Sequence, residues 1–250
     1  MRETVVLMGM PVTVDIADAQ ADQKDMDAVF DYFRYIDEKF STYKDTSEIT
    51  KINNGEIGIS DWSEDMKTVF ALSLKTKEET GGYFDIFASN GKYDPSGLVK
   101  GWAIYNAAKI LDERGFKNFY IDAGGDIQVR GKNSKGKNWK IGIRNPFNPQ
   151  KIVKALTIKE EGVATSGTYI RGQHIYNPKK RNEFINDIVS LTVIGPNIYE
   201  ADRFATAAFA MGRKGILFID GIKNLEGYMI DNKGVATMTA GFHKYTTQRA

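Results

Sequence analysis

An aspartate and a threonine lie four residues apart in the segment EADRFATAAFAMG, residues 200–212. At that spacing Asp202 and Thr206 share one face of a helix, where a carboxylate and a hydroxyl can both be directed at one hard cation such as Mg²⁺ or Ca²⁺. The surrounding alanines let another element approach closely. An ordinary buried, alanine-rich helix with an aspartate near its N-terminus would show the same pattern. Both interpretations stay open for this segment alone.

A proline and glycine turn leads directly into a helix in the segment KYDPSGLVKGWAIYNAAKIL, residues 92–111. A helix start presents unpaired backbone N–H groups to which a phosphate can bind, and Lys100 is close enough to add positive charge. The segment has neither the Gly-Lys-Ser/Thr of a Walker loop nor the glycine pattern of a Rossmann fold. The alternative is a well-capped structural helix.

Two adjacent glycines, Gly124 and Gly125, separate two strand-like runs in DAGGDIQVRG, residues 122–131. Glycine tolerates positive φ, so this turn can bring its backbone close to a ligand. The alternative is a tight hairpin in which Asp122 and Asp126 only decorate the turn.

The segment GVATSGTYIRGQHIYNP, residues 162–178, reads as a loop of small residues with hydroxyl side chains. Thr165, Ser166 and His174 are types that occur in nucleophilic catalysis. No acid is placed beside them by the sequence, which disfavours a serine hydrolase.

The composition excludes several classes of protein. The 250 residues contain 34 basic and 32 acidic side chains, a balance that does not fit a dedicated nucleic-acid binder. With no cysteine and two histidines, any metal must be held mainly by oxygen atoms, which favours magnesium or calcium. No stretch is long and apolar enough to span a membrane, and the N-terminus lacks the pattern of an export signal. We therefore expect a cytoplasmic protein, or an extracytoplasmic one if a leader had been removed.

Helical and strand-like segments are interspersed without regular alternation, which predicts an α+β fold rather than a doubly wound parallel sheet. We expect a sandwich of a mixed sheet and helices, forming a single compact domain with two lobes over residues 1–250. Helical character is predicted at 98–114, and a last strong helix at 199–211. The predicted strands after the first hairpin lie at 118–122, 126–130, 139–143, 152–158 and 188–194.

Taken together and in this order, the segments resemble the FAD:protein FMN transferase family, also called the ApbE family. The matching strings are MGMPVTV from residue 8, FSTYKDTSEITKIN at 40–53, DPSGLVKG at 94–101, GGD at 124–126, ATSG at 164–167 and DRFATA at 202–207. Any one of them occurs by chance in unrelated proteins. Their shared order and spacing, over most of the chain, make the joint resemblance specific.

The resemblance implies a magnesium-dependent transferase that splits FAD, attaches FMN to a serine or threonine hydroxyl of an acceptor protein, and releases AMP. In this family pattern Asp202 and Thr206 become magnesium ligands, together with a main-chain carbonyl near Gly97, and the glycine turns cradle the FAD pyrophosphate. His174 and Asn53 are the candidates for catalytic roles. The residues expected to bind FAD are Met10, Tyr43, Asp94, Ser96, Lys100, Gly124, Gly125, Asp126, Thr165, Ser166 and Gly167.

Two positions depart from the family pattern. The family usually has His-x-x-Asp-Pro-x-Thr-Gly after the Ala-Thr-Ser-Gly loop, whereas here His174 is followed by Asn177 in place of the acid, and the Thr-Gly is missing before Arg181. If the acid only braces the loop, Asn177 can replace it as a hydrogen-bonding group. If the acid orients the histidine, rate or acceptor choice could differ. The second departure is Met10, where the family often has threonine.

Two rivals use much of the same site. An FAD pyrophosphatase would release FMN and AMP with water as the nucleophile, and sequence cannot separate it from a transferase. A non-catalytic flavin-binding protein would need the fold but has no evident use for the Asp202 and Thr206 pair. An α+β domain without any nucleotide function would require the ordered matches to be accidental.

Overall fold

The structure is a computed structural model that describes residues 1–88, 90–168, 175–180 and 183–246. Its helices are α1 (Gln23–Phe40), α2 (Glu48–Asn53), α3 (Glu64–Glu79), α4 (Ser96–Glu113), α5 (Ile198–Ala210) and α6 (Gly215–Asp220). Its strands are β1 (Arg2–Leu7), β2 (Met10–Ile16), β3 (Phe119–Ala123), β4 (Asp126–Arg130), β5 (Trp139–Asn145), β6 (Asn148–Ile158), β7 (Gly162–Gly167), β8 (Ile188–Gly195), β9 (Glu226–Asp231) and β10 (Ala236–Met238).

Eight strands form one sheet in the order β1-β2-β3-β4-β7-β8-β9-β10, and β5 pairs with β6 in a separate hairpin. Every strand pairing in the described part of the chain is antiparallel. Two apolar clusters flank the eight-stranded sheet. The larger one includes side chains of α1, α4 and α5, and the smaller one lies beneath the β5–β6 hairpin. The expected α+β sandwich is confirmed, and its sheet is antiparallel where a mixed sheet was expected.

The helices predicted at 98–114 and 199–211 are both present, and α5 has a side-chain cap that follows from its residue type. Helix α5 begins after Asn197, whose side chain accepts the N–H of Glu200 at 3.0 Å. Helix α4 begins after Pro95 without a side-chain cap at that residue. No helix in the described ranges has the length and apolar character needed to cross a membrane.

The loop predicted at residues 162–178 is wrong in its first part. The segment 162–178 reads as a loop, but Gly162–Gly167 forms β7, paired with β4 on one side and β8 on the other. A Cβ on Gly162 would lie 2.1 Å from the backbone nitrogen of Ile198. The small residues therefore serve to let α5 pack directly on the strand, a tertiary requirement that strand propensity does not register.

The carboxylate of Asp18, in the loop between β2 and α1, binds the backbone just before β3. Asp18 accepts the N–H groups of Lys117 and Asn118, both at 2.8 Å, and the Asn118 amide at 2.6 Å. Partial burial opposes ionisation of Asp18, but the amide of Asn118 and the two N–H groups outweigh it and lower its pKa. The ionised side chain therefore stabilises the native state.

We expect Asp18→Ala to lower the free energy of unfolding at pH 7 by about 1 kcal/mol, because backbone donors lose a charged acceptor at a partly exposed site. A lowered folded-state pKa means that this stabilisation is present above the unfolded-state pKa, near 4, and is lost as pH falls through the folded-state value. Urea unfolding from pH 7 down to pH 2 should show a shallower acid-side decline for Asp18→Ala. Asp45→Ala, at an exposed position, is the control, and equal curves for all three proteins would contradict the assignment.

Candidate active site

A pocket lies where the beginning of α4, the end of β7 and the middle of α5 meet. Ten of the residues predicted from the sequence line it: Asp94, Ser96, Gly97, Lys100, Gly124, Thr165, Ser166, Gly167, Asp202 and Thr206. The segments that supply them are far apart in the chain. The fold therefore brings most of the predicted residues to one place.

Helices α4 and α5 touch at Gly101 and Asp202. The backbone N–H of Gly101 donates a hydrogen bond of 2.7 Å to Asp202 Oδ2, and a Cβ on Gly101 would lie 2.6 Å from the Asp202 Cβ. Such a distance is shorter than real Cβ contacts allow, so residue 101 must be glycine for the carboxylate to hold this position. The ordinary helical partner of that N–H is the Gly97 carbonyl. When the Gly101 N–H donates to Asp202, this bond competes with the helical bond to Gly97, and it therefore affects how available the Gly97 carbonyl oxygen is to a ligand.

Thr206 lies one turn further along α5 and faces the same part of α4. Its Oγ1 is 3.3 Å from the Gly97 carbonyl oxygen, and a Cβ on Gly97 would lie 3.1 Å from the Thr206 methyl group. The hydroxyl and the carbonyl are therefore neighbours, and both belong to the pocket lining together with Asp202. Three oxygen-bearing groups converge there from two helices.

The electrostatic setting of Asp202 favours the binding of a positive partner. Burial raises the pKa of this carboxyl group to about 8, and the nearby Asp126 carboxylate adds to the rise, whereas the Lys100 ammonium and the Gly101 N–H oppose it. Asp202 is 4% exposed. A charge that is costly to bury alone would be stabilised by a bound cation.

Carboxylate, hydroxyl and carbonyl oxygens are the donors that Mg²⁺ and Ca²⁺ prefer, and the three groups fit such an ion by their chemistry. Among the residues that the structure describes, no cluster of three or more histidine, cysteine, aspartate or glutamate side chains could hold a metal. That finding is compatible with this set, which has a single carboxylate. Asp202, Thr206 and the Gly97 carbonyl therefore stay the predicted cation ligands.

The start of α4 is partly capped from within the protein. The Asp94 carboxylate accepts the N–H of Ser96 at 3.0 Å, so this one N–H already has an acceptor. For the Ser96 N–H, the structure therefore favours the capped structural helix over a phosphate site. Asp94 and Ser96 nevertheless both line the pocket.

The glycine turn between β3 and β4 is a tight hairpin, as one of the two interpretations held. Gly124 and Gly125 have φ of 63° and 97°, and Asp122 Oδ1 accepts the Gly125 N–H at 2.8 Å. Gly124 lines the pocket, and Gly125 is exposed in the turn. Asp126 does not decorate the turn, because it is 1% exposed and paired inside the protein.

Asn53 lies at the end of α2 and holds the backbone of Tyr93 from both sides. Its amide donates to the Tyr93 carbonyl at 2.9 Å and accepts the Tyr93 N–H at 2.7 Å. Asp94, the next residue, lines the pocket. In the structure Asn53 thus positions the edge of the pocket, and its predicted catalytic role stays a prediction.

Three further predicted residues have different placements. Met10 is 8% exposed and packs beneath the glycine turn, where a Cβ on Gly124 would lie 2.9 Å from its sulfur. The structure does not bring Tyr43 to the pocket lining, since its side chain is 96% exposed. His174 lies outside the described residues.

Part of the pocket wall was not predicted. Seven further residues line it: Tyr83, Phe84, Asp85, Ile175, Tyr176, Pro178 and Ala210. Gly81 and Gly82 follow the end of α3, and their positive φ angles turn the chain toward the pocket. Lys179 lies over the Tyr83 ring, with Nζ 4.8 Å from its centroid and 3.3 Å from the Gly81 carbonyl. The glycine pair was the sequence signal for Tyr83–Asp85, whereas Ile175, Tyr176 and Pro178 belong to the segment 162–178 that was singled out from the sequence.

Solved structures with the same architecture include ApbE proteins. The chain superposes on the flavin transferase ApbE from Vibrio cholerae with a TM-score of 0.85 at 20% identity, over 98% of each chain. The ApbE protein from Thermotoga maritima gives a TM-score of 0.85 at 21% identity, over 99% of each chain. At these identities the likeness establishes the fold.

Curated relatives are similar in sequence over part of their length. The FAD:protein FMN transferase from Haemophilus influenzae is 30% identical over 166 residues, which covers 61% of this chain and 48% of the relative. The protein of the same name from Escherichia coli strain K12 is 28% identical over 150 residues, covering 56% of this chain and 43% of the relative. This chain thus spans about half the length of the curated relatives it matches.

The model of the ApbE family matches residues 8–90 and 87–229, which together make up most of the chain. These ranges contain the pocket and the oxygen donors of α4 and α5. The chain belongs to the ApbE family.

Proposed function

We propose that this protein is a magnesium-dependent FAD:protein FMN transferase that modifies a serine or threonine hydroxyl of an acceptor flavoprotein and releases AMP. The observation that carries the proposal is the convergence of Asp202, Thr206 and the Gly97 carbonyl at one pocket. The relatives that bear this activity in their names support the choice of reaction.

In the proposed reaction the acceptor hydroxyl oxygen forms a bond to the phosphorus of the FMN half. The bond from that phosphorus to the bridging oxygen breaks, and AMP leaves with the electron pair. The hydroxyl proton passes to a base, for which His174 is our candidate. The product is FMN linked to the acceptor through a phosphoester, a covalent flavinylation.

Asp202, Thr206 and Gly97 would hold the magnesium ion. When bound, the ion supplies charge neutralisation at the pyrophosphate. Gly124 and Thr165–Gly167 line the same pocket, and their backbone would approach the phosphates closely. Asn53 would keep Asp94 and the rim in place through its two bonds to Tyr93.

The first test is product analysis after incubation of the protein with FAD and Mg²⁺, with and without a peptide that contains Asp-x-x-Ser/Thr-Gly-Ala-Thr. We expect AMP in amounts equal to the flavinylated peptide, and little free FMN. Release of FMN and AMP at the same rate without peptide would instead identify a pyrophosphatase. Binding of FAD without any cleavage would identify a flavin-binding protein.

Thr206→Val should weaken Mg²⁺ binding at least about tenfold, because the isosteric valine removes the only side-chain hydroxyl of the proposed ligand set. Thr206→Ser, which keeps the hydroxyl, is the matched control and should stay within about threefold of the wild type. Isothermal titration of both variants with MgCl₂ in the presence of FAD measures this. Equal loss in the two variants would show that the methyl packing against Gly97, and not the hydroxyl, matters.

A further inference from the structure

A buried ion pair lies next to the proposed cation ligands. The Lys100 ammonium contacts the Asp126 carboxylate, and the two side chains are 17% and 2% exposed. Asp126 Oδ1 also accepts the backbone N–H of Thr165 at 3.0 Å. One carboxylate thus joins α4, β4 and β7 immediately beside Asp202 on α5.

Both members of this pair act on the Asp202 carboxyl group, Lys100 through its charge and Asp126 through its charge and a side-chain hydrogen bond. The Lys100 ammonium favours the ionised form of the Asp202 carboxyl group, and the Asp126 carboxylate opposes it. An ammonium that is left alone beside Asp202 would compete with a metal ion for that carboxylate, because like charges repel strongly where little water screens them. The position and pairing of Lys100 therefore bear on whether a cation can bind.

We propose that Asp126 is a positioning residue that neutralises Lys100 and holds its ammonium group away from Asp202, so that Asp202 stays available to the cation. Lys100 is then kept at the pocket wall, where it can meet the FAD phosphates. This inference rests on the cation site of the proposed function. It gives Asp126 a role through Lys100, in place of the direct contact with FAD that the family resemblance implies.

The charges of the four proteins that test this role can be counted. When Asp202 is ionised to bind a cation, Asp126, Lys100 and Asp202 sum to one negative charge, Asp126→Asn leaves none, and Lys100→Met leaves two negative charges. The double variant restores the original sum. Asparagine keeps an oxygen that can accept the Thr165 N–H, so Asp126→Asn changes the charge with little change of shape.

The experiment measures binding of Mn²⁺, as a probe for Mg²⁺, to the full chain by electron paramagnetic resonance of the free ion, with FAD absent. We expect Asp126→Asn to weaken Mn²⁺ binding about tenfold. Lys100→Met should strengthen it, because Asp126 then adds an unopposed negative charge. The double variant should return to within about threefold of the wild type, a rescue that a purely structural role of Asp126 would not produce.

Several results would overturn this inference, and they differ from failure of the proposed function. If the wild type binds Mn²⁺ and Asp126→Asn binds it equally well, the neutralising role is wrong while the cation site stands. If the double variant is as weak as Asp126→Asn, the role of Asp126 is structural. Should Asp126→Asn fail to fold, Lys100→Met alone decides the question. Mn²⁺ binding by Lys100→Met that is unchanged or weaker than in the wild type contradicts the inference. If the wild type binds no Mn²⁺, the cation site itself is wrong and the inference falls with it.

Discussion

Asp202→Asn should reduce Mg²⁺-dependent FMN transfer by at least about a hundredfold, since the loss of several kcal/mol of charge stabilisation corresponds to factors of this size. The asparagine oxygen can still accept the Gly101 N–H, which in the wild type donates to Asp202 at 2.7 Å. The variant therefore removes the charge and keeps the contact between α4 and α5. Initial rates of acceptor flavinylation, measured at saturating FAD over a range of Mg²⁺ concentrations, give the effect.

Stability separates a functional from a structural loss in this variant. Burial raises the pKa of Asp202, so the ionised carboxylate does not stabilise the metal-free native state. Asp202→Asn should thus unfold at the same urea concentration as the wild type in the presence of EDTA, or at a higher one. Turnover at the wild-type rate would remove the metal assignment, and a strongly destabilised variant would show that Asp202 is a structural residue.

Gly101→Ala should destabilise the protein and also displace Asp202. Alanine is favoured over glycine inside a helix by about 1 kcal/mol. Against this gain, the new Cβ would lie 2.6 Å from the Asp202 Cβ and 3.0 Å from the Ile198 carbonyl oxygen, and neither atom is the end of a flexible side chain. Overpacking of this kind costs about 1–3 kcal/mol. We expect a net loss of up to about 2 kcal/mol in urea unfolding, and weaker Mg²⁺ binding.

Gly58→Ala is the matched control for this substitution. Its φ is −91°, and the nearest atoms to its new Cβ would be 4.0 Å away. That variant should unfold within about 0.5 kcal/mol of the wild type. If Gly101→Ala were as stable as the wild type and bound Mg²⁺ normally, the close contact between α4 and α5 would not be what positions Asp202.

The sequence predicts best where a segment carries its own signal. Helix α5 was expected at 199–211 and spans Ile198–Ala210, because its alanines, its terminal glycine and its asparagine cap all act locally. Strand β4 was expected at 126–130 and has those bounds. The ordered motifs also identified ten residues that line one pocket.

The sequence predicts poorly where distant segments decide the structure. Strand β7 was missed because its small residues are required by the close approach of α5 at Ile198 and do not themselves favour a strand. The pairing of Lys100 with Asp126 joins residues 26 positions apart and has no local signature. Tyr43 belongs to a motif string but is exposed. A motif gives the order of residues and not the directions in which their side chains point.

The most direct test of the central claim is the intact mass of an acceptor peptide after incubation with FAD, Mg²⁺ and either the wild type or Asp202→Asn. We predict that the peptide gains the mass of one FMN with the wild type, with an equal amount of AMP. No gain should occur with Asp202→Asn or when EDTA replaces Mg²⁺. Intact FAD and an unmodified peptide with the wild type, or equal modification by Asp202→Asn, would contradict the account.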